Sequence, residues 1–377
     1  MILGIDASNI RGGGGVTHLV EILRVADPIQ FNFHKVIIWG GSETLSKIED
    51  HSWLEKVIEP LLNKSLLHRT YWQKFRLSKL AYSAGCNILF IPGGSYSGKF
   101  KPFVTMSQNL LPFEWKEICR YKISKETVRL ILLRLIQSRT FLRADGTIFL
   151  TEFARKVVIE QYPINLNKTV IINHGINNKF FIKPTIQKEI SNFSESNPLR
   201  ILYTSFIGEY KHQWNVVRGI SLLKQKGYPV ELTLIGDIIE YNAFKKFQIA
   251  LEESKISRLE VKHYQNISYS DIHTLYTQSH IFVFASSCET FGQILTEAMA
   301  SGLPIACSKM SAMPEILEDA GIYFDPLNSI DIYAKLEKLI LDHNLRNKLS
   351  NLAYENSKKF SWEKCSNSTF EFITNSL

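Results

Sequence analysis

The sequence predicts an α/β protein built from two doubly wound parallel-sheet domains that face each other across an interdomain cleft. Strand-like and helix-like segments alternate through the first half of the chain and again through the second, the pattern of parallel sheets covered by helices on both faces. At 377 residues the chain also exceeds what one ordinary core accommodates. Between the halves, 183–198 is polar, rich in Ser and Asn and bracketed by prolines. The linker is therefore expected at 184–198, with one domain over 1–183 and another over 199–355. Ligands of such sheets bind beyond the carboxyl ends of the strands.

The elements follow from local pattern. In the first half, strands are expected at 2–5, 35–39, 88–91, 103–107, 146–150 and 169–173, with helices at 17–25, 43–50 and 152–161. In the second half, strands are expected at 200–205, 231–235, 259–263, 281–285 and 304–307. Helices are expected at 213–227, 241–254 and 270–278, and another beginning near Gly292. The run Ile281-Phe-Val-Phe-Ala285 is apolar, aromatic and β-branched, as a strand buried on both faces must be. Gly302 followed by Pro304 supplies the stop signal for the Gly292 helix.

Composition narrows the class. A chain that is 45% hydrophobic, 12% aromatic and 21% charged is that of a folded globular protein. The five cysteines are scattered without a Cys-x-x-Cys pair, which argues against a disulfide framework or structural zinc and for a reducing compartment. Met1-Ile-Leu-Gly-Ile-Asp6 reads as a strand start and not as a signal peptide, and no apolar run is long enough to span a membrane. A cytoplasmic protein is expected, with no nucleic-acid partner and no bound cofactor. The net charge of +8 is concentrated in Lys64 to Lys79 and in Lys116 to Arg143. Such a local basic face suits an anionic membrane surface or an acidic acceptor; a solvated face on ordinary helices is the alternative. Arg129, Arg134, Arg139 and Arg143 fall around the helix cylinder, so a dedicated membrane-lying helix is not expected.

Several side chains are candidates for chemistry. Glu289 sits in the turn after the 281–285 strand and Glu297 on the following helix, one on each side of a helix N-terminus. The N–H groups of Gly292, Gln293 and Ile294 there suit a phosphate. Two carboxylates flanking a phosphate site imply a ligand with hydroxyls at both ends, which describes a nucleotide sugar. Gly12-Gly-Gly-Gly15 follows the first strand, where it allows positive φ or close approach of backbone to ligand; a flexible turn is the rival reading. It lacks both the spacing of a dinucleotide fingerprint and the Gly-Lys-Ser/Thr of a Walker loop. Lys211, after the first strand of the second half, could neutralise a leaving diphosphate, although by itself it reads as a surface lysine. His18 lies near the start of the first helix and His174 ends a strand, each readable as a ligand-facing or a structural histidine. No His, Asp or Glu set has metal-ligand spacing.

The stretch Ser286-Ser-Cys-Glu289-Thr-Phe-Gly-Gln-Ile-Leu-Thr-Glu297-Ala-Met-Ala-Ser-Gly-Leu-Pro304 resembles the Glu-x7-Glu signature of retaining glycosyltransferase family 4. The glycine loop, Ala144 to Phe153, Val170 to Gly175, Leu234-Ile-Gly236-Asp237 and Phe360-Ser-Trp362 are similar to further segments of that family. The resemblance implies the GT-B fold, two facing Rossmann-like domains, with acceptor bound by the first and nucleotide sugar by the second. It implies that the final segment, 356–377, is a helix crossing back to the first domain.

The resemblance also implies roles. Glu289 would accept hydrogen bonds from donor-sugar hydroxyls and Glu297 from the ribose. Gly292, Gln293 and Ile294, with Phe291, Gly236, Asp237, Lys211 and the loop at Gly13, Gly14 and Gly15, would form the donor site. His18, Gln108, Asn109 and His174 would line the acceptor side. Glu289 and Lys211 would be the catalytic pair, and no metal would be bound. The expected activity is metal-independent, retaining hexosyl transfer from a GDP- or UDP-sugar to a saccharide or lipid-linked acceptor. Synthesis of O-antigen, capsule or lipopolysaccharide at the inner face of the plasma membrane is the expected setting. Retention in this family is ascribed to same-face attack assisted by the departing phosphate. Two departures stand out: Phe206 and Tyr210 occupy places where the family has an Arg, and Gln108-Asn109 replaces a His-Asp pair, removing a general base. The rival expectations are a sugar-nucleotide epimerase or phosphorylase on the same fold, and an inactive carbohydrate-binding or scaffold subunit.

Overall fold

The computed structural model describes residues 1–254, 260–268 and 271–377. Contacts divide the chain into two units. Unit 1 comprises Met1–Gly175 with Phe360–Leu377, and unit 2 comprises Ile176–Lys359. The proline-bracketed stretch at 184–198 belongs to unit 2. There the buried guanidinium of Arg346 donates to Gln187 Oε1 and to the Lys188 carbonyl, and Gln187 N–H donates to Asn347 Oδ1 at 2.8 Å. These bonds tie a segment of linker-like composition onto a folded body.

Unit 1 is a seven-stranded, all-parallel sheet. Its strands are β1 (Ile2–Asp6), β2 (Lys35–Gly40), β3 (Leu54–Ile58), β4 (Ile88–Ile91), β5 (Phe103–Ser107), β6 (Gly146–Phe149) and β7 (Thr169–Ile171). They lie in the order β3-β2-β1-β4-β5-β6-β7. The central strands are buried throughout, as continuous apolar runs such as Ile88-Leu-Phe-Ile91 require. The order reverses between β1 and β4, and the first helix, Gly13–Arg24, starts beyond the carboxyl end of β1. The helix Trp362–Asn375 covers this unit too: Ser366 Oγ donates to Ile22 O at 2.9 Å, and its N-cap Ser361 accepts from Lys364 N–H.

Unit 2 repeats the plan with six parallel strands. These are β8 (Leu199–Thr204), β9 (Val230–Ile235), β10 (Val261–Tyr264), β11 (Ile281–Phe284), β12 (Ile305–Ser308) and β13 (Ile322–Phe324), in the order β10-β9-β8-β11-β12-β13. β3 and β13 were not expected. β3 is an edge strand of intermediate burial, and β13 has three residues, too few for a period to show. Expected positions 259 and 270 lie outside the described residues. Among the described residues, no helix is long and apolar enough to cross a membrane.

Candidate functional site

In unit 2 the strand order turns at β8 and β11, which are hydrogen-bonded neighbours. In an open α/β sheet, that reversal opens a crevice at the carboxyl ends of the two strands. The loop after β8 carries Lys211 and the loop after β11 carries Glu289, and the two side chains form an ion pair. Lys211 is only 3% exposed, so it is not the surface lysine its type suggests. Its ammonium lies 4.8 Å from the ring centre of Tyr210, 5.2 Å from Phe206 and 5.4 Å from Phe284. Aromatic faces and a carboxylate together stabilise a cation that burial alone would penalise. Phe206 and Tyr210, at the places where the resemblance implies an Arg, thus pack on the ammonium.

The surroundings register the Glu289 charge. Burial, and then the Glu289 carboxylate, push the Tyr203 phenol and the Cys307 thiol well above their usual ranges. The neutral Tyr203 hydroxyl donates to the Lys211 carbonyl. Ser311 clamps the Glu289 backbone, accepting from its N–H at 2.9 Å and donating to its C=O at 2.8 Å. His212 Nε2 and Ser287 Oγ are bonded at 2.8 Å, and Ser287 N–H donates to Tyr210 O at 2.8 Å. These bonds hold the two loops together.

The helix after the Glu289 loop is Gln293–Ala300, with Gly292 as N-cap at φ 87°. That positive φ favours glycine, and a Cβ there would also displace the Met313 methyl, 2.8 Å away. A helix start leaves its first-turn N–H groups without intrahelical acceptors, a ready anion site. Glu297, on the helix, is 3% exposed and accepts from the Tyr276 hydroxyl at 3.4 Å. Phe291 is buried beneath the turn, whereas Gln293 and Ile294 are half-buried. Gly236 follows β9 at φ 141°, where a Cβ would meet Ser205 O at 2.3 Å. Asp237 Oδ1 accepts from Asn266 N–H at 2.8 Å.

Glu209 escaped sequence reasoning. It is buried, pairs with Lys246, and receives its backbone support from Glu240, whose Oε2 accepts the Glu209 N–H at 2.8 Å. The Lys246 ammonium lies 4.8 Å from the Trp214 ring. Its place two residues before Lys211 was the available signal. Tyr276 and Ser311 gave none, because their contacts join distant parts of the chain.

In unit 1 the glycines at 12–14 are exposed and Gly13 has φ 61°, so this stretch opens the first helix. Gln108 Nε2 donates to Pro92 O at 3.1 Å, and Asn109 Oδ1 accepts from Leu111 N–H at 3.1 Å. His18 and His174 instead turn into the core. Their Nδ1 atoms are bonded at 2.9 Å and both rings pack near Trp362. Burial lowers the His174 pKa to about 3 and puts that of His18 well below its usual value, so both are neutral. With Cys365 they form the one cluster of three metal-capable side chains among the described residues, with ligand atoms within 4.8 Å. Burial raises the Cys365 thiol to about 12. The cluster is neutral, and its packing accounts for it. A separate cavity of about 300 Å³ at the ends of β1 and β2 is lined by Ser8, Arg11, Ser42, Thr44 and Asn63.

Comparison with known proteins agrees with this architecture. Residues 171–356 match the family model described as "Glycosyl transferases group 1". Over 100 residues the chain is 36% identical to O-antigen chain mannosyltransferase B of Escherichia coli, covering 26% of each protein. It is 26% identical over 243 residues to an uncharacterized glycosyltransferase of Methanocaldococcus jannaschii, covering 63% of this chain and 62% of that one. The chain thus spans less than two thirds of the length of either relative. The crystal structure of Anabaena HepE in complex with UDP and glucose superposes with a TM-score of 0.72 at 16% identity, covering 100% of both chains. The fold is GT-B.

Proposed function

We propose that the protein is a retaining, metal-independent glycosyltransferase. It moves a hexosyl group from a GDP- or UDP-sugar to a saccharide or lipid-linked saccharide acceptor in cell-surface polysaccharide synthesis, at the inner face of the cytoplasmic membrane. The observation that carries this reading is the Lys211–Glu289 pair at the β8/β11 reversal, beside the N-terminus of Gln293–Ala300. The match to the glycosyl transferase model and the mannosyltransferase name of the Escherichia coli relative support it.

The chemistry follows from the placement. The diphosphate lies over the first-turn amides at Gly292, Gln293 and Ile294, where the helix dipole favours negative charge. As the glycosidic bond breaks, negative charge grows on the departing phosphate, and the Lys211 ammonium stabilises it in a site with little water. Glu289 accepts hydrogen bonds from donor-sugar hydroxyls. Glu297, with one oxygen engaged by Tyr276, accepts from the ribose. Gly236, Asp237 and Phe291 belong to the proposed donor site of unit 2; in unit 1, Gly13, Gly14 and Gly15 are proposed for donor contact and Gln108 and Asn109 for acceptor contact. The neutral, buried His18 and His174 act there only by supporting the fold of unit 1.

Amide hydrogen exchange tests the site without a known acceptor. Nucleoside diphosphates are expected to slow exchange at 205–213 and 286–296, and a panel of UDP- and GDP-sugars then identifies the base. Lys211→Met is expected to lose this protection and all transfer. Unchanged exchange in both segments with every nucleotide would overturn the assignment.

A further inference from the structure

Besides Leu130 and Phe141, which it buries, the helix Lys125–Arg143 carries a second apolar set outward. Val128, Leu132, Leu135, Ile136 and Leu142 are exposed, Val128 by 58% and Leu132 by 54%. The side turned to the sheet is partly polar: Gln137, Ser138 and Thr140 are buried, and Thr140 Oγ1 accepts from Tyr96 N–H at 2.9 Å. A helix that only covers a sheet leaves no such apolar set exposed on its outer face. Cations share the outward face: Lys125, Arg129, Arg139 and Arg143 fall with the apolar residues within an arc of about 140° at 3.6 residues per turn. Arg134 alone of the four arginines turns inward, donating to Tyr162 Oη and Pro112 O. The four arginines are spread round the cylinder, as expected from sequence, but Arg139 and Arg143 fall within about 80° of Arg129 and only Arg134 lies on the far side.

A second stripe adjoins it. Leu67, Tyr71, Phe75 and Tyr82, each more than half exposed, lie on the segment 66–83 among Lys74, Arg76 and Lys79. Both segments are fastened to the same 95–100 loop. Gln73 donates to Ser95 O and Ser78 Oγ accepts from Phe100 N–H, while Arg143 donates to Gly98 O from the other side.

We propose that these two stripes form one surface that docks on an anionic lipid bilayer, apolar side chains entering the headgroup boundary and the basic ones meeting lipid phosphates. The charge decides the occupant. An apolar face meant for a protein core partner is depleted of charge, whereas an interfacial helix interleaves cations with apolar residues. Each cation near such a surface strengthens binding about fivefold. The inference deepens the membrane location proposed above and is independent of the transfer chemistry.

Vesicle sedimentation of the full chain tests it, with phosphatidylcholine vesicles alone or containing phosphatidylglycerol. Binding is expected only with the anionic lipid and is expected to weaken as salt shortens the screening length. Leu132→Glu/Leu135→Glu, Lys125→Glu/Arg139→Glu and Tyr71→Ser/Phe75→Ser should each weaken it at least about tenfold. Nucleotide protection at 205–213 should be unchanged in all three, which separates loss of docking from loss of the donor site. Equal binding to neutral vesicles, no binding to either, or variants that bind like the parent would overturn the proposal. Concentration-dependent association of the protein that Leu132→Glu abolishes, without vesicle binding, would assign the face to a second copy instead.

Discussion

Lys211 and Glu289 oppose each other where water scarcely reaches, and that arrangement sets a stability signature as well as a chemical one. Removing one partner leaves the other charge desolvated, so Lys211→Met or Glu289→Gln alone should cost about 3 kcal/mol by urea titration. The double variant should recover most of that loss while transfer stays absent. A double variant as unstable as the sum of the singles would contradict the coupling. Gly236 makes a sharper demand, because its φ of 141° and the 2.3 Å approach of Ser205 O exclude any side chain. Gly236→Ala should therefore destabilise unit 2 by about 3 kcal/mol or more, read from the denaturation midpoint. Lys211 and Glu289 stood out in the sequence because each follows a strand, and Glu297 because it lies on the helix that begins just after Glu289. The ion pair did not, since 78 residues separate Lys211 from Glu289 and only strand order brings them together. For His18 and His174 separation along the chain likewise left two readings open, and the bond between the two buried rings seats them in the core of unit 1.

At the scale of elements, buried histidines give the fold a pH dependence. Burial holds His174 at about 3 and His280 at about 4, against an ordinary value of about 6.5. His280 Nδ1 accepts from Arg200 N–H at 2.9 Å, which a protonated ring nitrogen cannot do. The unfolded chain therefore binds more protons than the native one between about pH 6.5 and those lowered values. Stability is fully present above pH 6.5 and falls as the solution is acidified. Between pH 7 and 5 the loss should approach about 2 kcal/mol for His174 and less for the half-buried His280. The acid slope of the urea midpoint should flatten in His174→Asn and His280→Asn; an unchanged slope in both would count against this account. Parallel central strands were readable from their unbroken apolar runs. The outward face of Lys125–Arg143 was not, because composition along a helix shows which residues are apolar but not which side the sheet will occupy.

At the scale of the molecule, the alternation of strand and helix was enough to predict two doubly wound sheets, whereas the division between them falls at Gly175 and Ile176, away from the proline-rich stretch. Composition misleads there because the bonds from Arg346 and Asn347 that fold the stretch onto unit 2 come from residues some 160 positions later. Unit 1 is discontinuous, made of Met1–Gly175 and Phe360–Leu377 with all of unit 2 between them. A chain ended at Lys359 should lose the helix whose Ser366 and Thr374 bond to Ile22 O and Phe31 O. Limited proteolysis of that truncation should cut first within unit 1 and spare unit 2, and equal resistance of both would contradict it. The same discontinuity imposes an order on biosynthesis. Growing from the ribosome at about 5–20 residues per second, the nascent chain carries an unfinished unit 1 for on the order of ten seconds or more while unit 2 is being made. Throughout that interval Ile22, Phe31 and the His18–His174 pair lack their Trp362 helix, which makes this the stretch of the protein's life when a chaperone has something to hold.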